Sequence, residues 1–454
     1  MTPFWLCARH YHSGGLATVT SAPSATRRFS IQYGWVARSN LKTKHHFIAV
    51  DGCIWPQPSE EVKIKGNAMR TSLQKALVLF AVTAFSIGGA VAEDDPIVLG
   101  IPLGLSGANS VGGPPVMQAM ELAISEINDA GGVLNRKFAL ELADSASSAA
   151  GAQRAYDRLV FQKKVDAVIS SEPSSARNAG LPIITRGKIP YIYTSFYEGG
   201  SCNKYEYINA WVPQQIVSLM VDAFMKDKGA KTFFLVGNDY AFGRGLLGDT
   251  KNYITEKGGT VVGEEYNPIE ASDWTSIISK IREANPDAIL TATAAGAPNV
   301  TFTKQLRSAG VTALYGNYAL DEGIAESLGA DAEGIYLGGT YYTSINSESN
   351  AKFLKALKDK FGAETKTATE LSVPQYDAIH LYALAVAKAG TTDTDAVLKA
   401  LSEVTFDGPR GPIQMSKQHH APLTMYLAQV NAQGDTTIIK TVPNVDPGEQ
   451  CPDL

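Results

Sequence analysis

Short apolar runs alternate with amphipathic segments along most of this 454-residue chain, and this alternation restricts its fold more than any other feature. The run IVLGIPL (97–103) has the composition of a buried strand. The segment PPVMQAMELAISEINDAGG (114–132) then places apolar residues at helical spacing and stops on two glycines. The same cycle repeats up to Trp211 and starts again after it. Strands and helices in this order form parallel sheets that are covered on both faces.

Two successive runs of this kind predict an α/β fold with two doubly wound parallel-sheet lobes. Because no long Pro- or Ser-rich linker separates the runs, we expect short crossing strands to join the lobes as a hinge. The predicted first lobe is 93–211 plus 341–405, and the second is 212–340 plus 406–440. Residues 441–454 are predicted to form a C-terminal tail.

A secretory signal is predicted at residues 69–92. The sequence from Met69, MRTSLQKALVLFAVTAFSIGGAVAEDD, has a basic start, an apolar run too short to span a bilayer, and small residues before an acid. The mature chain is therefore expected to start at Glu93 and to be periplasmic. Residues 1–68 are either an over-long reading of the gene start or a transit segment. We favour the first, because a complete export signal follows.

The charge of the mature chain argues against polyanionic partners. Residues 1–92 contain 10 of the 40 Lys and Arg residues but only 3 of the 45 Asp and Glu residues, so the rest of the chain carries −12. No basic segment remains that could neutralise phosphates. Binding to nucleic acid or to an anionic membrane is therefore not expected.

Signals for enzyme chemistry are weak. Gly243–Gly248 fits G-x-G-x-x-G, but the residues NDYAF separate it from the preceding strand, so its first glycine does not occupy the strand-to-helix turn of a dinucleotide site. No G-x-S-x-G motif for a serine nucleophile occurs. His380 fits an apolar helical pattern, and no Cys or His stands at metal-ligand spacing. We expect no catalytic residues, no cofactor and no metal.

Two cysteines, Cys202 and Cys451, remain beyond the predicted signal. An exported chain with two cysteines permits one intramolecular disulfide, and two free thiols are the alternative. We favour the disulfide, which would fix the C-terminal tail to the loop that follows YEGG (197–200).

Polar and aromatic residues recur at the ends of the predicted strands in both runs. Hydroxyls and helix N-termini bind carboxylate or carbonyl oxygens, carboxylates bind ammonium or amide groups, and aromatic rings cover apolar parts of a ligand. Each residue alone is more often a helix cap or a loop residue, but their recurrence at one end of successive strands predicts a binding cleft. The candidates are Glu172, Ser174, Ser175, Tyr193, Ser195, Tyr197, Asp239, Tyr240 and Asp321.

Over 97–440 the chain resembles periplasmic solute-binding proteins of the hydrophobic amino acid and amide class, in the type I group that feeds ABC importers. The segments that carry the resemblance are GIPLGLSG, AISEINDAGGVLNRKFALELAD, SSEPSSARNAG, YEGG, VGNDYAFGR, TYYTS, PQYDAIHLYALAVAKAG and FDGPRGPIQM. YEGG followed by NDYAFGR is more similar to the urea and short-amide branch than to the leucine-isoleucine-valine branch. The resemblance implies a Venus-flytrap fold.

The resemblance also implies roles for individual residues. It places ligand-binding hydroxyls at Ser174 and Ser195, and an aromatic residue at Tyr193 beside the second of them. Tyr240 matches the second-lobe aromatic that covers the ligand. Asp321 lies near the acid that pairs with an α-ammonium in amino-acid binders.

Two positions depart from the family pattern. Glu172 stands where the amide branch has an aromatic residue, and Gly112 stands where the amino-acid branch has a tyrosine. These departures leave the ligand open among amino acids, urea and short amides.

The resemblance thus implies a monomeric, non-enzymatic protein that binds a small solute between its lobes and docks on an ABC permease. A ligand sensor of the amide branch is an alternative that the export signal disfavours. A secreted hydrolase is a second alternative, for which the chain offers no catalytic constellation.

Overall fold

The computed structural model describes residues 95–107 and 110–454, together with strands β1 (Phe47–Val50) and β2 (Cys53–Pro56). These two strands pair antiparallel within a unit of their own, Met1–Gly88. The predicted signal at 69–92 and the rest of the predicted upstream extension lie outside the described residues. Everything below concerns the second unit, Gly89–Leu454.

The first lobe is built on a five-stranded parallel sheet with the order β4-β3-β5-β6-β7. Its strands are β3 (Ile97–Leu103), β4 (Phe138–Asp144), β5 (Ala167–Ser170), β6 (Tyr191–Tyr193) and β7 (Glu206–Ile208). Its helices are α1 (Gly113–Asp129), α2 (Ala149–Asp157), which continues as a π-helical turn (Arg158–Lys163), and α3 (Ser174–Gly187). The strand order reverses between β3 and β5, as in doubly wound sheets.

The second lobe repeats this arrangement in a seven-stranded sheet with the order β16-β15-β12-β11-β10-β8-β9. Its parallel strands are β8 (Thr232–Asn238), β9 (Thr260–Asn267), β10 (Ala288–Ala292), β11 (Leu314–Asn317) and β12 (Tyr336–Gly339). Strand β15 (Leu423–Val430) pairs antiparallel with β12, and β16 (Thr436–Val445) pairs antiparallel with β15. Its helices are α4 (Pro213–Asp222), α5 (Ala241–Glu256), α6 (Thr275–Ala284), α7 (Ala297–Ser308) and α8 (Glu322–Leu328). Here the order reverses between β8 and β10.

Three helices after β12 return to the first lobe. They are α9 (Glu348–Phe361), α10 (Ser372–Ala389) and α11 (Thr394–Leu401). Helix α10 packs along α1, where the Tyr376 hydroxyl donates to Glu126 Oε2 (2.5 Å). The Tyr382 ring of α10 also meets Phe138 of β4 edge-on, with 6.2 Å between centroids. The predicted two-lobe α/β architecture is confirmed.

A hairpin of β13 (Phe406–Gly408) and β14 (Gly411–Ile413) lies against the first lobe, although the sequence assigned it to the second. The Phe406 ring stacks on His380 of α10, with 4.5 Å between centroids. The sequence pattern gave no sign of this, because the partners of so short a hairpin are distant in the chain.

The last strand is also longer than predicted. Strand β16 continues to Val445, into the segment assigned to the tail, and it contains Pro443. A proline is compatible with this position because β16 is the edge strand of its sheet and needs hydrogen bonds on one side only.

Arg410, beside the hairpin, binds two of the segments that pass from one lobe to the other. Its Nη2 donates to the carbonyl of Asn209, just after β7, and its Nη1 donates to Thr340 Oγ1, just after β12, at 2.6 and 2.9 Å. Its Nε pairs with Asp377 of α10 at 2.6 Å. Arg410 is 4% exposed, so these bonds form away from water and fix the hinge segments to the first lobe.

Within the described residues, every helix is too short or too polar to cross a bilayer.

Candidate functional site

A cleft between the lobes lies at the carboxyl ends of the strands, next to both points where the strand order reverses. It is lined by the segments that follow β3, β5 and β6 in the first lobe and β8, β10 and β11 in the second. The lining residues are Leu103, Gly104, Gly112, Gly113, Val116, Ser171, Glu172, Pro173, Ser174, Ser195, Phe196, Tyr240, Ala294, Ala295, Gly296, Asp321, Ile324 and Leu371. This is where doubly wound sheets bind ligands.

The first lobe supplies two hydroxyls to the cleft. Ser174 is the first residue of α3, and its Oγ donates to Glu198 Oε2 at 2.5 Å. Ser195 follows β6, and its Oγ has a weaker contact with the carbonyl of Phe196 at 3.5 Å. Both serines are nearly buried, with 1% and 5% of their surfaces exposed. The start of α3 therefore offers helix N–H groups to an oxygen atom of a ligand, and the Ser195 hydroxyl is free to donate to the same atom because its own contact is weak.

Glu172 adds a buried carboxyl to the same wall. It is 2% exposed, and Ser145 Oγ donates to its Oε2 at 2.7 Å. Burial raises the pKa of Glu172 to about 7, and the hydrogen bond from Ser145 offsets only part of this effect. A carboxyl in this condition is charged most readily when a cationic or N–H group of a ligand lies beside it.

The second lobe contributes Asp321 and Tyr240. Asp321 precedes α8 as its N-cap and accepts a hydrogen bond from the backbone N–H of Ile324 at 3.0 Å. Burial raises the pKa of Asp321 to about 6. Tyr240 precedes α5, and its ring lies 5.9 Å from that of Phe242. One carboxyl from each lobe thus lines the cleft.

Four of the predicted site residues do not line the cleft: Ser175, Tyr193, Tyr197 and Asp239. Asp239 forms an exposed ion pair with Arg244, with 2.6 Å between Oδ1 and Nε. The Tyr193 hydroxyl donates to the carbonyl of Glu172 (2.7 Å), and the Tyr197 hydroxyl is hydrogen-bonded to His420 Nε2 (2.6 Å). Side chains of a strand point to a face of the sheet, so Tyr193 packs with Tyr191 under the helices instead of pointing beyond the strand end. These tyrosines support the wall of the cleft from behind.

Glu198 and Arg177 form an ion pair directly behind Ser174, in which Arg177 is buried and Glu198 partly buried; neither was predicted as a site residue. Arg177 Nη2 lies 2.7 Å from Glu198 Oε1, and the Arg177 side chain is 3% exposed. The guanidinium also lies over the rings of Tyr193 and Tyr197, at 5.1 and 4.4 Å from their centroids. Glu198 is the isolated acid of YEGG, next to two glycines and shortly after a strand. This position was a signal that its carboxylate contributes to the cleft wall.

The loop that carries Glu198 is attached to the C-terminal tail. Cys202 and Cys451 form a disulfide with a Cα–Cα distance of 5.4 Å. The backbone N–H of Gly200 donates to the side chain of Gln450 at 2.9 Å. The loop between Tyr197 and Cys202 is therefore held at both ends.

The charge of the cleft is one-sided. Its described lining contains two carboxyl groups and no Lys, Arg or His. Apolar side chains form the rest of the wall: Leu103, Val116, Phe196, Ile324 and Leu371. Elsewhere in the described residues, no group of three or more His, Cys, Asp and Glu side chains is placed to hold a metal ion. The glycines of the G-x-G-x-x-G match lie inside α5 and not in a strand-to-helix turn.

Comparisons with known proteins agree with this architecture. A family model described as periplasmic binding protein matches residues 96–435. The Leu/Ile/Val-binding protein homolog 6 of Brucella melitensis is 25% identical over 381 residues, which cover 80% of this chain and 95% of that protein.

Two solved structures share the fold. The leucine-binding protein of Thermotoga maritima has a TM-score of 0.69 at 22% identity and covers 76% of this chain and 99% of its own. A solute-binding protein of an R. palustris ABC transporter, in complex with benzoate, has a TM-score of 0.71 at 20% identity and covers 78% of this chain and 98% of its own. The chain belongs to the periplasmic binding protein family, the non-enzymatic substrate-binding proteins of ABC transporters.

Proposed function

We propose that this protein captures a small nitrogen-bearing solute between its lobes and delivers it to an ABC permease. The first candidate ligand is an amino acid with an apolar side chain. The observation that carries this proposal is the charge of the cleft. Glu172 of the first lobe and Asp321 of the second line it together with two serine hydroxyls and without a basic side chain.

The lining suits the separate parts of an amino acid. An α-ammonium group can pair with Asp321, and the α-carboxylate can accept hydrogen bonds from the Ser195 hydroxyl and the N-terminal N–H groups of α3. The Ser174 hydroxyl donates its proton to Glu198, so towards the ligand it can only accept, from an N–H group. Tyr240 and the apolar side chains can cover an aliphatic side chain. Because such a ligand bridges both lobes, its binding favours the closed form.

The carboxyl groups argue against an aromatic acid, the kind of ligand named for the R. palustris protein. Benzoate carries a negative charge and no N–H donor. At pH 8, where both carboxyls are ionised, benzoate beside Glu172 and Asp321 would meet like charges in a site with little water. The Coulomb repulsion at intermediate dielectric is then on the order of several kcal/mol at short range.

A short amide or urea is the second candidate ligand, favoured by Glu172. Amide N–H groups can donate to Glu172 and Asp321 while the carbonyl accepts from Ser195. Gly112 supports a ligand larger than urea, because this position lacks the side chain that the amino-acid branch has there as a tyrosine. A Cβ atom added at Gly112 would have only Leu371 Cδ1 within 4 Å, at 3.8 Å.

Export to the periplasm, cleavage before Glu93, association with a permease and a monomeric state are part of the same proposal. They rest on the signal at 69–92 and on the family. The mass and the N-terminal residue of the protein recovered from a periplasmic extract test the cleavage.

A thermal-shift screen of the full chain tests the ligand class. Compounds that bind the folded form raise the melting temperature by an amount that depends on the ratio of concentration to Kd. We expect L-leucine, L-valine or propionamide to raise it, urea to do so less, and benzoate to leave it unchanged. Stabilisation by benzoate alone would contradict the proposal, and the appearance of a hydrolysed amide would point to the enzyme alternative.

A further inference from the structure

The two lobes meet at one point where the backbone of one comes very close to the other. Gly245 lies in α5 of the second lobe, and Glu198 lies in the loop after β6 of the first. A Cβ atom added at Gly245 would lie 2.6 Å from the Cβ of Glu198, closer than real Cβ atoms approach other atoms. The contact exists only because residue 245 has no side chain.

A second contact joins the same loop to the same helix. The ring of Phe196, two residues before Glu198, lies 5.1 Å from the ring of Phe242 in α5. Phe196 also stacks on Trp211, with 4.8 Å between centroids, in the segment that leads to the second lobe. Loop and helix therefore approach each other along their length, and Gly245 is the closest point.

Glu198 connects this contact to the cleft. Its carboxylate accepts a hydrogen bond from Ser174, which lines the cleft, and pairs with the buried Arg177. The disulfide between Cys202 and Cys451 and the bond from Gly200 to Gln450 restrict the rest of the loop. Glu198 has little freedom to move away from α5.

We propose that the contact between Glu198 and Gly245 is the stop at which the lobes close, and that Gly245 sets how far the cleft can shut around its ligand. The proposal rests on the proposed function, because it assumes that a ligand binds in the cleft. Glu198 would then couple a ligand contact at Ser174 to closure of the lobes. Glu198 is a positioning residue, and Gly245 determines the width of the closed cleft.

Helix α5 supplies a matched control. Gly248 lies one turn after Gly245, and no atom lies within 4 Å of a Cβ added there. Replacing either glycine by alanine inside a helix favours the helix to a similar extent, because glycine loses more backbone freedom on folding. Gly245→Ala and Gly248→Ala therefore have the same effect on α5 itself, but only the first adds an atom against Glu198.

The experiment measures the distance between the lobes and the affinity in the full chain. Spin labels are attached at Gln153→Cys in α2 and Asn252→Cys in α5, both exposed, with Cys7 and Cys53 changed to Ser. Distances are recorded with and without 10 mM L-leucine or propionamide, and affinity for the same probes is measured by calorimetry.

We expect the wild type and Gly248→Ala to show a short-distance population that Gly245→Ala lacks. We also expect Gly245→Ala to bind the probe at least tenfold more weakly than Gly248→Ala, with a melting temperature no lower. A short-distance population in Gly245→Ala equal to that of the control would overturn the proposal. So would its absence from the wild type in the presence of a probe that calorimetry shows to bind, because the contact would then not form in the closed protein. Absence of calorimetric binding to the wild type counts against the proposed function alone, since the distances still report closure without a ligand.

Discussion

At the scale of single residues, the cleft depends on groups that would be costly to leave without a partner. Ser195 and Asp321 line it from opposite lobes and are at most 9% exposed. We expect Ser195→Ala and Asp321→Asn each to weaken the cognate ligand by about 1–3 kcal/mol, the usual effect of an unpaired buried polar group. Glu333→Gln, an exposed carboxylate of the second lobe, is the matched control for calorimetry. Unchanged affinity in both cleft variants would refute this site.

The pH dependence of binding follows from Asp321. Burial raises the pKa of its carboxyl to about 6, so the unliganded site is increasingly protonated below that pH. An ammonium ligand needs the charged form, and binding must then release a proton. Affinity for an amino acid should fall as the pH falls from 7 to 5, and Asp321→Asn should remove most of this dependence. A flat profile in the wild type would contradict the pairing.

Glu172 makes stability depend on pH in the opposite direction to a carboxylate in an ion pair. Burial raises its pKa in the folded state to about 7, above the ordinary value of 4.5, so the folded protein binds more protons than the unfolded chain between these values. The free energy of unfolding therefore decreases as the pH rises through this window. Glu172→Gln should flatten the decrease in melting temperature between pH 5 and 8, and Glu121→Gln, exposed on α1, should not. An identical profile in Glu172→Gln would be evidence against a buried, protonated carboxyl.

The sequence predicted much of the cleft at this scale, because parallel strands end at one edge of a sheet. Glu172, Ser174, Ser195, Tyr240 and Asp321 follow such strand ends and line the cleft. Position along the chain does not show which side chains point under the covering helices. Tyr193, at the end of β6, and Tyr197, in the loop after it, were therefore predicted to line the cleft but lie behind its wall.

At the scale of elements, the hinge depends on Arg410 and its three buried bonds. Removal of its side chain leaves Asp377 as an unpaired buried charge, which typically costs about 3–5 kcal/mol. We expect Arg410→Ala to lower the free energy of unfolding by this amount in urea denaturation. Arg154→Ala, exposed on α2, should change it by less than about 0.5 kcal/mol. Equal stability of the two variants would mean that the hinge segments are held by other contacts.

Elements were predictable where their periodicity was long. The alternating strands and helices of both lobes follow from apolar spacing. Strand β7, with three residues, is too short to show a period. Helix α5 starts at Ala241, and this start is hard to predict because Gly243 and Gly245 follow it and glycine disfavours helices. The place of the β13–β14 hairpin depends on contacts with α10 that no local pattern contains.

At the scale of the whole molecule, the two sheets point the carboxyl ends of their strands at a shared cleft, and the chain passes between them through segments held by Arg410. A solute that contacts both lobes favours the closed arrangement in proportion to its preference for that state. The carboxyls, hydroxyls and apolar walls of the cleft can hold a solute. Members of this family carry their ligands without converting them.

The most direct test of this account is a crystal structure of the protein with the compound that gives the largest thermal shift. The account predicts an intact ligand in the cleft, with a nitrogen atom within about 3.2 Å of Asp321 and an oxygen atom within the same distance of the Ser195 hydroxyl or a backbone N–H group at the start of α3. A ligand that touches one lobe only, or that binds outside the residues lining the cleft, would contradict it.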